Sequence, residues 1–267
     1  MTPTHIALAA GALAALAPLA SQSEMLQLRV TVTNVAPTDS VTFAPLHVGF
    51  HTGTFDAFDA GTGATAAIIS VAEGGSGSAW FPAFAAADPG ATLGSVLPDP
   101  PGPLLPGFSG QALFLIDAVA NPFFTFAAMV VPSNDYFIGN DDPHAYRLFG
   151  ADGKLLLRFI ELSAADIWDA GSEADDPAHA AFIVGGNNDL RTPQNGVVSL
   201  DFEGLSIFRG LTTAAGYSFQ NRLGSGTPVY RIGFDVTSVP EPHAAWLMLA
   251  GLGLVVALRA APAARRT

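Results

Sequence analysis

Residues 123–131 (Phe-Phe-Thr-Phe-Ala-Ala-Met-Val-Val) are an aromatic and β-branched apolar run that reads as a buried strand. The chemistry changes at its end. Pro132-Ser133-Asn134-Asp135-Tyr136-Phe137-Ile138-Gly139-Asn140-Asp141-Asp142-Pro143 brings in the proline, asparagine, aspartate and glycine that end strands and shape loops. The stretch predicts a scaffold strand followed by a functional loop. Further on, Asp166-Ile167-Trp168-Asp169-Ala170-Gly171-Ser172-Glu173 repeats the pattern, with carboxylates on either side of a glycine turn and a tryptophan to anchor it. Folded side by side, the two loops offer Asp135, Asp169 and Glu173 to one hard cation, for which calcium is the natural candidate. Calcium takes about six to eight oxygens, so carbonyls near Ile138 or Ala170, the Asn134 amide and water are expected to complete the shell. Asp141, Asp142 and Asp166 read as solvated loop acids or turn caps.

A chain of 267 residues with 28 Gly, 20 Pro and only 13% charged residues is too apolar for disorder and suits short strands joined by many turns. One large β domain is expected over residues 24–237, between an N-terminal processing segment (1–23) and a C-terminal one (238–267). Acids outnumber bases 23 to 11. A field of that sign repels nucleic acid and anionic lipid unless divalent cations intervene. There is no cysteine, which excludes disulfides, thiolate metal sites and cysteine nucleophiles. For an exported protein, stability must then come from core burial and bound metal.

Residues 6–20 are an apolar, alanine- and leucine-rich run too short to span a bilayer comfortably, the shape of a secretory signal, with cleavage expected between Ala20 and Ser23. Leu26, Leu28, Val30 and Val32 alternate with Gln27, Arg29 and Thr31 as a half-buried first strand. A second is expected at 41–50. A Gly/Ala/Thr-rich excursion to Gly77 follows, with one short helix around 64–72. The proline-rich stretch 97–107 cannot supply ladder donors and reads as a surface crossover within one sandwich. Further strands are expected at 111–117, 123–131, 145–149, 155–162, 181–184, 197–202, 206–209 and 230–236. This makes an all-β antiparallel sandwich. Beyond it, Val239-Pro240-Glu241-Pro242 breaks the chain, residues 244–258 are unbroken apolar, and Arg259, Arg265 and Arg266 lie near the end. Such a helix is just long enough to span a thinned bilayer, with its basic end cytoplasmic.

Pro240-Glu241-Pro242 together with that apolar helix and terminal arginine cluster resembles the PEP-CTERM sorting signal of Gram-negative bacteria that make extracellular polysaccharide. The resemblance implies recognition by an exosortase-type membrane transpeptidase, transient anchoring in the inner membrane, then release or attachment at the cell surface. The body resembles the spondin N-terminal domain of F-spondin and of many secreted bacterial proteins. The matching residues are Val32-Thr33-Asn34, Leu46-His47-Val48-Gly49-Phe50-His51-Thr52-Gly53-Thr54-Phe55-Asp56, residues 129–139, Phe149-Gly150-Ala151-Asp152-Gly153 and Trp168-Asp169-Ala170-Gly171-Ser172-Glu173, in that order. This resemblance implies a C2-like β-sandwich with calcium between the two loops, the family's ligands falling on Asp135, Asp169 and Glu173. Glu173 departs from the animal pattern, which has aspartate there.

The resulting expectation is a calcium-binding adhesion or matrix module that is not an enzyme, with extracellular polysaccharide or a surface protein as partner. Two alternatives stay open: a C2-type peripheral lipid binder, in which calcium bridges acidic loops to headgroups, and a carbohydrate-active enzyme. No Gly-x-Ser-x-Gly elbow, His-Glu-x-x-His or phosphate loop is present. His47 and His51, four apart in a strand and turn context, read as packing residues in preference to zinc ligands.

Overall fold

Alternation in the first strand decides which way the chain faces: Leu28, Val30 and Val32 are buried while the residues between them reach the surface. The computed structural model describes residues 25–237. The expected signal segment (1–23) and sorting segment (238–267), with Pro240, Glu241 and Pro242 and the apolar helix, lie outside the described residues. In chain order the elements are β1 (Met25–Asn34), β2 (Thr42–Phe43), β3 (Leu46–His51), α1 (Ala66–Gly74), α2 (Trp80–Ala87), β4 (Thr92–Val96), β5 (Ser109–Asp117), β6 (Phe123–Val131), β7 (Tyr136–Gly139), β8 (Phe159–Ser163), β9 (Ile167–Asp169), β10 (Ser199–Leu200) and β11 (Pro228–Thr237). They form two antiparallel sheets: four strands in the order β5-β1-β11-β8, and seven in which β10-β9-β7-β6-β3-β4 run side by side and β2 joins β6. The protein is an all-β antiparallel sandwich.

The core lies between the sheets, where Leu28, Val30 and Val32 meet Val48, Phe50, Phe124, Phe126, Phe114, Ile160, Ile232 and Phe234. Strand β6 is buried almost throughout because its opposite face is covered as well. There α1 and α2 pack with Phe55, Phe58, Ala127 and Phe137 into a second apolar cluster. This explains a continuous apolar run in an antiparallel sheet, where one wet face is the commoner arrangement. Helix α1 starts at Thr65, whose hydroxyl accepts from the Ile68 N–H, and ends at Gly75 in the left-handed region. Helix α2 carries Pro82 in its first turn, where a missing N–H leaves no intrahelical bond unmade. Phe84 of α2 stacks on Phe55 at 4.0 Å and lies over Gly49 of β3, where a Cβ would come within 2.3 Å of its ring.

Several local expectations are corrected. The stretch after β6 is not all loop: Tyr136–Gly139 turns back as β7, and Ile167–Asp169 in the second stretch is β9. The strand expected at 41–50 is broken at residues 44–45 into β2 and β3. Residues 206–209 lie largely in a 3-10 turn (Gly204–Phe208), while 145–149 and 181–184 make only isolated bridges. Helix α2 and strand β4 were not expected at all. The excursion does hold its helix, and the proline-rich stretch does run from one sheet to the other, pinned by buried Asn34, whose Nδ2 donates to Val41 O and Leu104 O at 2.8 Å each. Asp142 and Asp166 act as caps, accepting from the N–H groups of His144 and Ser163.

Replacing Gly49 by valine should force Phe84 off Phe55 and lower the unfolding free energy by about 1–3 kcal/mol, the usual cost of overpacking, as read from a shifted midpoint in urea.

Candidate functional site

The two acidic stretches are brought together by main-chain pairing. β7 and β9 lie antiparallel with Tyr136 opposite Asp169, and one residue beyond the ladder the Ala170 N–H donates to Asp135 O at 3.2 Å. The turn before β7 is closed by Ser133, whose hydroxyl donates to Val130 O and accepts from the Tyr136 N–H. The turn after β9 depends on Gly171. Its φ is +65°, and a Cβ there would lie 2.7 Å from both N and O of Val197, so only glycine can occupy the position. From that turn the Ser172 N–H, the Ser172 hydroxyl and the Glu173 N–H all donate to Asp135 Oδ2, at 2.7, 3.0 and 2.8 Å.

Asp135 is fully buried, and its other oxygen, Oδ1, has no hydrogen-bond partner. Burial raises its pKa above the usual carboxylate range despite the three donors. Asp169 accepts from the Gly171 N–H at 2.7 Å and is pushed up to about 7, first by burial and next by the Asp135 charge, with Asp175 and Asp201 adding to it. Asp175 lies at the exposed rim and takes the Tyr136 hydroxyl at 3.1 Å; it is pushed up to about 6 by desolvation and by repulsion from Asp135 and Asp201. The same hydroxyl is 3.5 Å from Asp201 Oδ2. Burial and these carboxylates raise the phenol's pKa, so Tyr136 stays protonated and remains a donor. The crowding is visible at Gly204: a Cβ there would fall 2.0 Å from the Tyr136 oxygen and about equally close to Asp201 and Asp175, at 2.9 and 3.1 Å.

Glu173 is also buried, and its Oε2 has no hydrogen-bond partner. Its Oε1 accepts from Asn134 Nδ2 at 3.1 Å, and its Oε2 lies 3.4 Å from Arg191 Nε, which is itself 2.8 Å from Glu73 Oε2 on α1. Burial raises the pKa of Glu173, with Asn134 and Arg191 working against the rise. The Asn134 amide also bonds the second loop: its Oδ1 accepts from the Asp176 N–H and its Nδ2 reaches Asp176 O. It clasps the second loop. The main chains carrying Asp135 and Asp169 are thus brought together as expected, Glu173 lies 3.4 Å from an arginine, and Asp175 and Asp201, from positions not singled out in the sequence, meet Tyr136 of the first stretch. Their spacing gave no local signal, since Asp201 and Gly204 come from the segment after β10.

The donor set suits a hard cation in one respect: a buried carboxylate oxygen without a partner beside a second acid of raised proton affinity. Among the described residues, no three His, Asp or Glu side chains are grouped to hold a metal ion by themselves. Asp135 Oδ1 and Glu173 Oε2 are buried carboxylate oxygens without a hydrogen-bond partner, and carbonyls and water would have to fill much of an oxygen shell built on them and Asp169. His47 and His51 are buried packing residues. His47 donates from Nε2 to Gly75 O, and His51 Nδ1 accepts from the Gly53 N–H while Nε2 lies 2.9 Å from Thr125 Oγ1. Compared with known proteins, the chain matches no family model and no curated protein.

The carboxyl shifts set a pH dependence. Asp169, Asp135 and Glu173 hold protons more tightly folded than unfolded, so between the unfolded value near 4 and the folded value of Asp169 at about 7 the native state binds the extra proton. In chelator, the melting temperature should fall as pH rises from about 4 to about 7 through these groups. Asp169→Asn should make that decline shallower, measured by circular dichroism melts across the range.

Proposed function

We propose that this chain is a secreted, surface-sorted, calcium-binding module of the spondin N-terminal type that acts by binding and not by catalysis. The observation that carries the reading is the Asp135 carboxylate: buried, with one oxygen taken by three donors of the second loop and the other left without a partner. Calcium held by Asp135 and Asp169 would offset their mutual repulsion and join the two loops by a second link besides the hydrogen bonds. Glu173 Oε2, buried and without a hydrogen-bond partner, is the further carboxylate oxygen such an ion would draw on, with Arg191 3.4 Å away held by Glu73 as its other partner.

In this reading the excess of 23 acids over 11 bases belongs to a protein living among divalent cations outside the cell. Its partner is extracellular polysaccharide or a surface protein. An exosortase-type enzyme recognises Pro240-Glu241-Pro242 and removes the membrane helix that anchors the chain before processing, at the surface of a Gram-negative bacterium.

Calorimetric titration with calcium should show one saturable site, and calcium at about a hundredfold excess over Kd should add about 2.7 kcal/mol of stability, raising the melting temperature by about 5–10 °C. Asp135→Asn and Asp169→Asn should each abolish that rise. Identical wild-type melting curves in calcium and in chelator would overturn the reading. For the sorting half, Glu241→Ala should leave the chain membrane-bound, whereas mass spectrometry of the wild-type surface form should find the segment after residue 242 removed.

A further inference from the structure

Arg191 lies between two carboxylates and holds them unequally. Its Nε donates to Glu73 Oε2 at 2.8 Å, the length of a charge-assisted hydrogen bond, but is 3.4 Å from Glu173 Oε2, too long for one. The other guanidinium nitrogens are taken up by main chain and by its own loop. Nη1 donates to Asn188 O and lies 3.3 Å from both Asn188 Oδ1 and Leu190 O, while Nη2 is 3.5 Å from Glu73 O. The Glu173 end is therefore the weakly held one. Its side chain is fully buried and its Oε2 has no hydrogen-bond partner, whereas the arginine facing it is 32% exposed and bonded elsewhere. An arginine that pairs permanently with a buried carboxylate presents two nitrogens at short range. This one presents a single nitrogen at long range.

Glu73 is itself placed against the local field. It stands in the last turn of α1, where the helix dipole disfavours a carboxylate and no basic residue of the same turn offsets it. Burial raises the proton affinity of Asp135 and of Glu173, and the charge of Glu73 adds to the rise at both. The acid of the helix thus belongs to the same field as the acids of the two loops. When all three are ionised, the single charge of Arg191 cannot balance Glu73, Asp135 and Glu173 together.

We propose that Arg191 is a displaceable counter-cation of the calcium site: it stands beside Glu173 in the absence of a divalent ion, and an incoming ion takes Glu173 Oε2 while Arg191 stays with Glu73. The inference rests on the calcium reading above and adds its regulation. The unequal distances set the direction of the exchange, because the contact given up is the long one and the bond kept is the short one. A guanidinium and a divalent ion drawn to one carboxylate repel each other. Calcium affinity is therefore set by how firmly Glu73 holds Arg191 away from Glu173, which makes the end of α1 a control point for a site built on β7, β9 and their turns.

The test is calorimetric titration of calcium chloride into full-length wild type, Arg191→Gln, Glu73→Gln and, as a control for bulk charge, Lys154→Gln, which neutralises an exposed lysine paired with Asp152. Melts in chelator check that each variant is folded. Arg191→Gln removes the competing charge and should tighten calcium binding about tenfold. Glu73→Gln frees Arg191 to close on Glu173 and should weaken binding by a similar factor, and Lys154→Gln should leave it unchanged. Calcium bound by Arg191→Gln alone, with wild type silent, would support the proposal as well, since the arginine would then be filling the site. Where wild type binds calcium, an Arg191→Gln affinity that is weaker or unchanged, a Glu73→Gln affinity that is tighter or unchanged, or a Lys154→Gln gain equal to that of Arg191→Gln would overturn this inference and leave the calcium reading standing. Absence of binding in both wild type and Arg191→Gln would overturn the two together.

Discussion

The carboxylate of Asp135 is the point through which the two acidic loops become one structure. A buried carboxylate is costly unless donors surround it, and here the donors belong to residues 172 and 173, in the other loop. Those donors can be presented only if the chain turns back at Gly171 against the backbone of residues 196–197, an approach that admits no side chain. Pairing of β7 with β9 then carries the arrangement into the sheet. Strand, turn glycine and acid are thus mutually dependent: removing any one leaves the other two with unmade bonds or a collision. The residue that looks most like a ligand is at the same time a structural clasp.

This dual role explains how far the sequence could be read. The strands with clean alternation, β1 and β11, and the buried run of β6 were legible because period and burial agree there. The meeting of Asp135 with Asp169 was legible because strand-ending chemistry appears twice, each time beside an apolar stretch. Strand β7 was hidden because Tyr136-Phe137-Ile138 is buried on both sides and so shows no alternation, and it is bounded by the asparagine and glycine that ordinarily mark loops. Helix α2 was hidden by Pro82 and by aromatic residues that suggest a strand, until its place over Gly49 makes Phe84 a packing residue. Asp175, Asp201 and Tyr136 meet across 39 and 65 residues of chain, and Arg191 reaches Glu73 across 118, separations over which no local pattern speaks.

Two-sided burial of the larger sheet also bears on a chain without cysteines. Helices α1 and α2 turn what would be a wet face into a second apolar cluster, so that a fold without disulfides gains buried area on both sides of the larger sheet. The consequence for the site is rigidity at one end. Ala127 and Phe137 are held under the helices, as is Ala170, the residue between Asp169 and Gly171. The loops therefore start from packed positions on the scaffold.

Charge placement within the site gives the last step. Arg191 lies between Glu73 and Glu173 and offsets part of their charge. Among the described residues, Asp135, Asp169, Asp175 and Asp201 have no lysine or arginine paired to them, and their donors are main-chain N–H groups and hydroxyls. Neutral donors solvate a carboxylate without cancelling its charge, so neighbouring acids still repel and the group resolves its excess by taking up protons or cations. Asp169, pushed up to about 7, takes up part of that excess as a proton. In neutral, ion-rich surroundings a divalent cation is the other means of balance, and a hard one matches the oxygens available. The arginine that could have made this a purely structural ion-pair network is held by Glu73 and Glu173, and among the described residues no ion pair reaches the buried carboxylate of Asp135.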